Sequence, residues 1–151
     1  MLGELFGKFI ITSTEITPPK KNINDMEQKF YRCNRCGNII THLVKSGANV
    51  MCCGEPMQEL IPNTSDGAGE KHVPVIQKEG TRVTVRVGSV EHPSLDNHYI
   101  MFIVLQTKNG IQVHHLKPGD APAATFALPD GDEAIAAYEY CNLHGLWKAE
   151  V

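Results

Sequence analysis

Two groups of residues in this chain could do chemistry, and both are built around cysteine. The first is Phe30-Tyr-Arg-Cys33-Asn-Arg-Cys36-Gly37, a CxxCG knuckle, followed by Met51-Cys52-Cys53-Gly54, with fifteen residues between Cys36 and Cys52. Four thiolates brought together suit iron or zinc in a tetrahedron. A glycine after a knuckle cysteine lets the backbone turn sharply and aim its N–H groups at sulfur. Two spacer residues seat both sulfurs on one ion comfortably, whereas the adjacent pair Cys52-Cys53 must splay, so the tetrahedron is expected to be distorted. Spacing alone leaves two readings open: a zinc staple for a module too small to hold its own core, and a one-iron redox centre. A disulfide or sulfenic sensor fits less well, because all four residues suit one site.

The second group is YEYCNLHGLW near the C-terminus, where the fifth cysteine, Cys141, stands three residues before His144. Both side chains can reach one ion. Three further histidines sit where strands are expected to begin or end: His72 in Glu70-Lys-His-Val-Pro74, His92 in Val90-Glu-His-Pro93, and His98 in Asp96-Asn-His-Tyr99. Ligands from separate strands converge most readily at such ends and loops. His42, His114 and His115 read as ordinary residues. The last two are adjacent on an expected strand, face opposite sides and cannot readily share a site. On its own, the Glu70-Lys71 pair reads as an exposed ion pair of little energetic consequence.

The elements that must hold these donors are mainly β. Thr81-Arg-Val-Thr-Val-Arg-Val87 alternates with period two, the pattern of a half-buried strand. Tyr99-Ile-Met-Phe-Ile-Val-Leu105 is continuously apolar, as a strand buried on both faces would be. Ile111–Leu116 follows Asn109-Gly110, a hairpin signal. Ala124–Leu128 and Ala134–Tyr140 are expected as further strands, with Val73–Ile76 and Trp147–Glu150 at sheet edges. Short strands separated by regular turn signals favour a sandwich. Three parts are expected: an extension over 1–28 with a Pro18-Pro19 linker, a cysteine module over 29–62, and a β domain over 64–151.

Composition narrows the function. The chain has 151 residues, 42% of them hydrophobic, and a net charge of −3. Without a basic block or stripe, nucleic acid is not an expected partner. The longest apolar run is too short to cross a membrane. The N-terminal stretch makes a poor targeting peptide, since Glu4 comes early and no basic residue precedes the apolar segment. Five cysteines, four of them in metal-type spacing, point to a reducing compartment, and the cytoplasm is the expected location.

These motifs together resemble the desulfoferrodoxin family of two-iron superoxide reductases. The resemblance runs from about Phe30 to Val151 and rests on FYRCNRCGNI, Cys52-Cys53-Gly54, EKHVPVI, VEHPSLDNHYI, Leu116-Lys-Pro-Gly119 and YCNLHGLWKAE, in that order. It implies a desulforedoxin-like module binding iron through Cys33, Cys36, Cys52 and Cys53, followed by an immunoglobulin-like antiparallel β-sandwich. It implies a second iron held by His72, His92, His98 and His144 in a plane, with Cys141 on the axis. The implied reaction is one-electron reduction of superoxide to hydrogen peroxide, with Lys71 guiding the anion and Glu70 occupying the open position of the oxidised site. A rubredoxin-type electron donor and a homodimer are also implied. A trans thiolate pushes electron density onto its metal, and the Leu143 and His144 N–H groups are expected to tune it by hydrogen bonding to sulfur.

Two rivals make different predictions. A blue-copper carrier is also a β-sandwich with a late Cys-x-x-His, but its trigonal site uses two histidines and a methionine. No methionine follows His144, and four candidate histidines are too many. A zinc-stapled binding module would leave the histidines unrelated in space.

Overall fold

The computed structural model describes residues 27–151. The expected linker at Pro18-Pro19 and nearly all of the N-terminal extension lie outside them. Five short strands form the cysteine module: β1 (Phe30–Arg32), β2 (Ile39–Thr41), β3 (Met51–Cys52), β4 (Glu55–Pro56) and β5 (Gln58–Leu60). One helical turn, α1 (Gly69–His72), leads into seven longer strands: β6 (Pro74–Glu79), β7 (Arg82–Val87), β8 (Ile100–Thr107), β9 (Ile111–His115), β10 (Ala123–Ala127), β11 (Ala134–Cys141) and β12 (Gly145–Glu150).

The long strands make two antiparallel sheets, ordered β10-β7-β6 and β12-β11-β8-β9. Alternation decides how the first packs. Val83, Val85 and Val87 of β7 are buried, while Arg82 and Arg86 are exposed. The valines meet Ile103 and Leu105 of β8 and Ala137 and Cys141 of β11 in one core. The second sheet is covered on its other face as well. Phe102 and Val104 of β8, and Ala136, Tyr138 and Tyr140 of β11, form a second core that includes Phe30 from β1. Phe30 lies 5.3 Å from the Tyr138 ring and 6.1 Å from Phe102, which stacks on Tyr140 at 5.5 Å. The doubly apolar run in β8 is thus a strand with a sheet on one side and the cysteine module on the other. Module and sandwich share a core at their junction, and that contact substitutes for the interior the module is too small to build.

The strands also fix where donors gather. Pro74 of β6 pairs with Val87 of β7, Ile100 of β8 with Cys141 of β11, and Cys141 with Gly145 of β12. All five strand ends therefore lie at one end of the sandwich, and every histidine of interest sits in a segment leaving it. One expectation is corrected: the Glu70–Pro74 segment is not simply a loop entering a strand. Residues 69–72 form the turn of α1, with the Val73 N–H closing on the Gly69 carbonyl at 2.9 Å.

Candidate metal centres

The buried site is built from five segments. His72 ends α1, His92 lies in the loop after β7, His98 precedes β8 by two residues, Cys141 ends β11, and His144 sits in the turn to β12. One ligand atom from each lies within 4.8 Å of the others. The four rings stand around a square. Neighbouring centroids are 4.8 Å (His72–His92), 4.6 Å (His92–His98), 4.9 Å (His98–His144) and 4.8 Å (His144–His72) apart, and the diagonal His72–His98 is 6.5 Å. Each neighbouring pair is close to edge-on, at 74° to 82°.

Hydrogen bonds fix which nitrogens face inward. The Nδ1–H of His72 donates to the Ala68 carbonyl at 2.8 Å, and that of His92 to the Pro93 carbonyl at 2.6 Å. In a neutral imidazole the other nitrogen then carries a lone pair. Those two Nε2 atoms are 3.2 Å apart, and His144 Nδ1 is 3.0 Å from His72 Nε2. The Nε2 of His98 is buried without any hydrogen-bond partner. Lone pairs aimed at one another from such distances repel, and an orphaned buried nitrogen is costly. A cation in their midst resolves both. A square with sides like these has its centre about 2.2 Å from each corner, close to a normal metal–imidazole bond. Burial pushes the pKa of His92 down to about 4 and lowers those of His72 and His98, which favours the neutral form that binds a metal.

Cys141 is fully buried, and its Sγ lies 3.7 Å from His144 Nδ1. Burial raises the thiol pKa, while the backbone N–H groups of Leu143 and His144 point at the sulfur and favour the thiolate. The turn is braced from outside. The Trp147 indole N–H donates to the His144 carbonyl at 3.1 Å, the Ser65 hydroxyl donates to the same oxygen, and Trp147 stacks on His72 at 4.9 Å. Gly67 is required by close approach: a Cβ there would come within 3.0 Å of His144 Cβ and of His72 Cε1. A cavity of about 590 Å3 beside His92 is lined by Lys71, Glu91, Pro93, Ser94 and Asp120. Glu70 and Lys71 are both exposed on α1, and among the described residues they form no ion pair with each other.

The second cluster is Cys33, Cys36, Cys52 and Cys53, again with one sulfur each within 4.8 Å. Cys36 Sγ is 3.6 Å from Cys52 Sγ, which is 4.0 Å from Cys53 Sγ. A tetrahedron with metal–sulfur bonds of about 2.3 Å has edges of about 3.8 Å, so the set fits one ion. Gly37 and Gly54 both adopt φ of 80° after their cysteines, and Cys53 itself reaches φ 51°, which is how the adjacent pair splays. The Cys36 N–H draws the pKa of the Cys33 thiol down to about 6, while the sulfurs of Cys36 and Cys33 push that of Cys53 up to about 12. Four thiolates this close need a cation to share their charge. His42 packs edge-on against Tyr31, and His114 and His115 are exposed on β9, so none of the three joins a cluster.

The desulfoferrodoxin family model matches residues 64–150, and the model of the desulfoferrodoxin N-terminal domain matches residues 25–60. The chain belongs to the desulfoferrodoxin family. A desulfoferrodoxin from Nitratidesulfovibrio vulgaris is 48% identical over 124 residues, which are 82% of this chain and 97% of that protein. One from Syntrophotalea carbinolica is 47% identical over 81% of this chain and 95% of its own length. Among solved structures, the superoxide reductase from Treponema pallidum superposes with a TM-score of 0.70 at 39% identity, covering 82% of this chain and 99% of that one. Both donor sets fit iron, the ion that membership of this family implies.

One buried group near the site escaped the sequence reading. Glu139 lies on the same face of β11 as Cys141, fully buried, with neither carboxylate oxygen hydrogen-bonded. Burial pushes its carboxyl well above the usual range. Its signal was available: in Ala137-Tyr-Glu139-Tyr-Cys141, alternation assigns Glu139 to the inward set.

Proposed function

We propose that this protein is a superoxide reductase, adding one electron and two protons to superoxide to give hydrogen peroxide without releasing oxygen. The observation that carries the reading is the square of four imidazoles with a single buried sulfur beside it. Five donors leave one position of a six-coordinate ion free. We assign His72, His92, His98, His144 and Cys141 as ligands of one iron, and Cys33, Cys36, Cys52 and Cys53 as ligands of another. When bound at the buried five-donor site, ferrous iron supplies the electron and the open position for the anion.

The remaining roles belong to side chains. Lys71 immediately precedes His72 and lines the cavity beside His92. Its ammonium concentrates a small anion at the mouth of the site, an attraction that salt weakens. It also orients the water that delivers protons to the reduced product. With iron bound, the Glu70 carboxylate on the α1 turn would cap the oxidised resting site and shield it from other anions. The Leu143 and His144 N–H groups moderate how strongly the Cys141 sulfur donates.

A rubredoxin-type one-electron donor, a homodimer and a reducing cytoplasmic setting go with this function. Residues 29–62 serve as the desulforedoxin-like module, 64–151 as the catalytic domain, and 1–28 as an extension. Among the described residues no helix is long and apolar enough to cross a membrane.

The test is Cys141→Ser, followed in a single turnover with superoxide. The expected result is loss of the reaction and of the visible thiolate band from the buried centre, with the band of the four-cysteine centre intact. Full activity in that variant would refute the assignment.

A further inference from the structure

Of the four site histidines, His98 has the least visible support. His72 and His92 are each tied by Nδ1 to a backbone carbonyl, and His144 sits in a turn braced by Ser65 and Trp147. The His98 backbone pairs with Leu95, through N–H···O bonds of 2.9 and 3.1 Å, but its Nε2 is buried and unpartnered, and among the described residues nothing outside the cluster holds the ring. The ladder that leads to it carries a bulge just before its last pair. Tyr140 pairs with Phe102, but Cys141 pairs with Ile100, so one step along β11 takes two along β8.

One side chain continues the pairing beyond that last pair. Asn142 Oδ1 accepts the Tyr99 N–H at 2.9 Å, and Asn142 Nδ2 donates to the Asn97 carbonyl at 3.0 Å. These are the residues on either side of His98. The Asn142 N–H adds a third bond, to the Tyr99 carbonyl at 3.2 Å. An amide has an acceptor and a donor in one plane, so it stands in for a peptide group where the ladder ends.

We propose that Asn142 is a positioning residue for the buried centre, its amide locking the His98 segment to the turn that carries Cys141 and His144. This rests on the reading of the five donors as a metal site. Three of the five ligands then move as one unit. An aspartate in the same place keeps the acceptor for Tyr99 but sets an oxygen against the Asn97 carbonyl, so the lock is half lost. Alanine removes the bonds to Tyr99 and Asn97 and the 3.9 Å contact of Oδ1 with Cys141 Sγ, leaving the Asn142 N–H bond to Tyr99 and the Leu95–His98 pair.

The experiment challenges the two-iron protein with a ferrous chelator and follows the visible bands of both centres in one sample. Asn142→Ala is expected to release iron from the buried centre about tenfold faster than wild type, in the range typical of lost outer partners of metal ligands. The four-cysteine centre should release at its wild-type rate, and Asn142→Asp should fall between. The inference is overturned if Asn142→Ala keeps iron at the wild-type rate. It is also overturned if both centres loosen together. Wild-type protein unable to hold iron at the buried centre would instead overturn the metal reading on which this rests.

Discussion

The two metal centres of this chain answer the same problem in opposite ways. The four-cysteine cluster takes all its ligands from two short turns within residues 33–53, and Cys36 and Cys53 are exposed. The histidine-rich cluster draws on five segments between residues 72 and 144, and His72, His92 and Cys141 are buried. A site of local turns needs little from the rest of the molecule and holds its ion as a closed tetrahedron. A site assembled across two sheets needs the whole sandwich, and it can leave one coordination position for a substrate. The difference teaches where reactivity belongs: the closed centre can pass an electron or staple a module, and only the open one can bind superoxide.

Breaking the buried centre is expected to have the largest effect. His92→Ala removes a ligand whose Nδ1 anchor cannot be replaced, and iron affinity there should fall by more than about a hundredfold, the upper end for losing a mere outer partner. Metal analysis should find about half the wild-type iron, all of it in the four-cysteine site. Unchanged iron content would erase the contrast between the two sites.

The next probe concerns the junction. Phe30 belongs to the cysteine module but is buried in the core shared with Phe102 and Tyr138. Phe30→Ala should destabilise the protein by about 3–5 kcal/mol, as for other buried aromatics. Denaturant unfolding followed through both metal bands would show whether the module detaches before the sandwich melts. A loss under about 1 kcal/mol, ordinary for a surface change, would mean the module stands on its metal alone.

Steering comes third. Lys71→Ala should slow the bimolecular reaction with superoxide by about tenfold at low salt, the lower end of electrostatic steering, and the gap should close as salt rises. Pulse radiolysis at two ionic strengths measures it. An unchanged rate at low salt would remove Lys71 from the mechanism. The smallest effect is expected at the exposed centre. Cys36→Ser should eliminate the four-cysteine band and alter the superoxide rate at the other site by less than about twofold, as distant independent sites behave. A large fall would make the two centres one catalytic unit.

What could be read in advance follows from the same contrast. The β7 strand showed itself because one of its faces meets water, and β8 because neither does. The donors were visible as residue types, and the four cysteines declared a shared site through spacing alone. Nothing in spacing says that His72, His92, His98 and Cys141 meet. That depends on β6, β7, β8 and β11 presenting their ends together, which the motif resemblance supplied and pattern did not. The α1 turn was hidden because it is four residues long and has no side-chain N-cap. Asn142 was hidden because its part depends on a one-residue slip between β8 and β11, and no local pattern reports register.

The most direct test of the central claim is the product balance at the open centre, measured on protein with two irons per chain and a one-electron donor in excess. Reduction yields one hydrogen peroxide for each superoxide consumed, with no oxygen released, and that is the predicted result. Half as much peroxide accompanied by oxygen would mean dismutation, and would contradict the account.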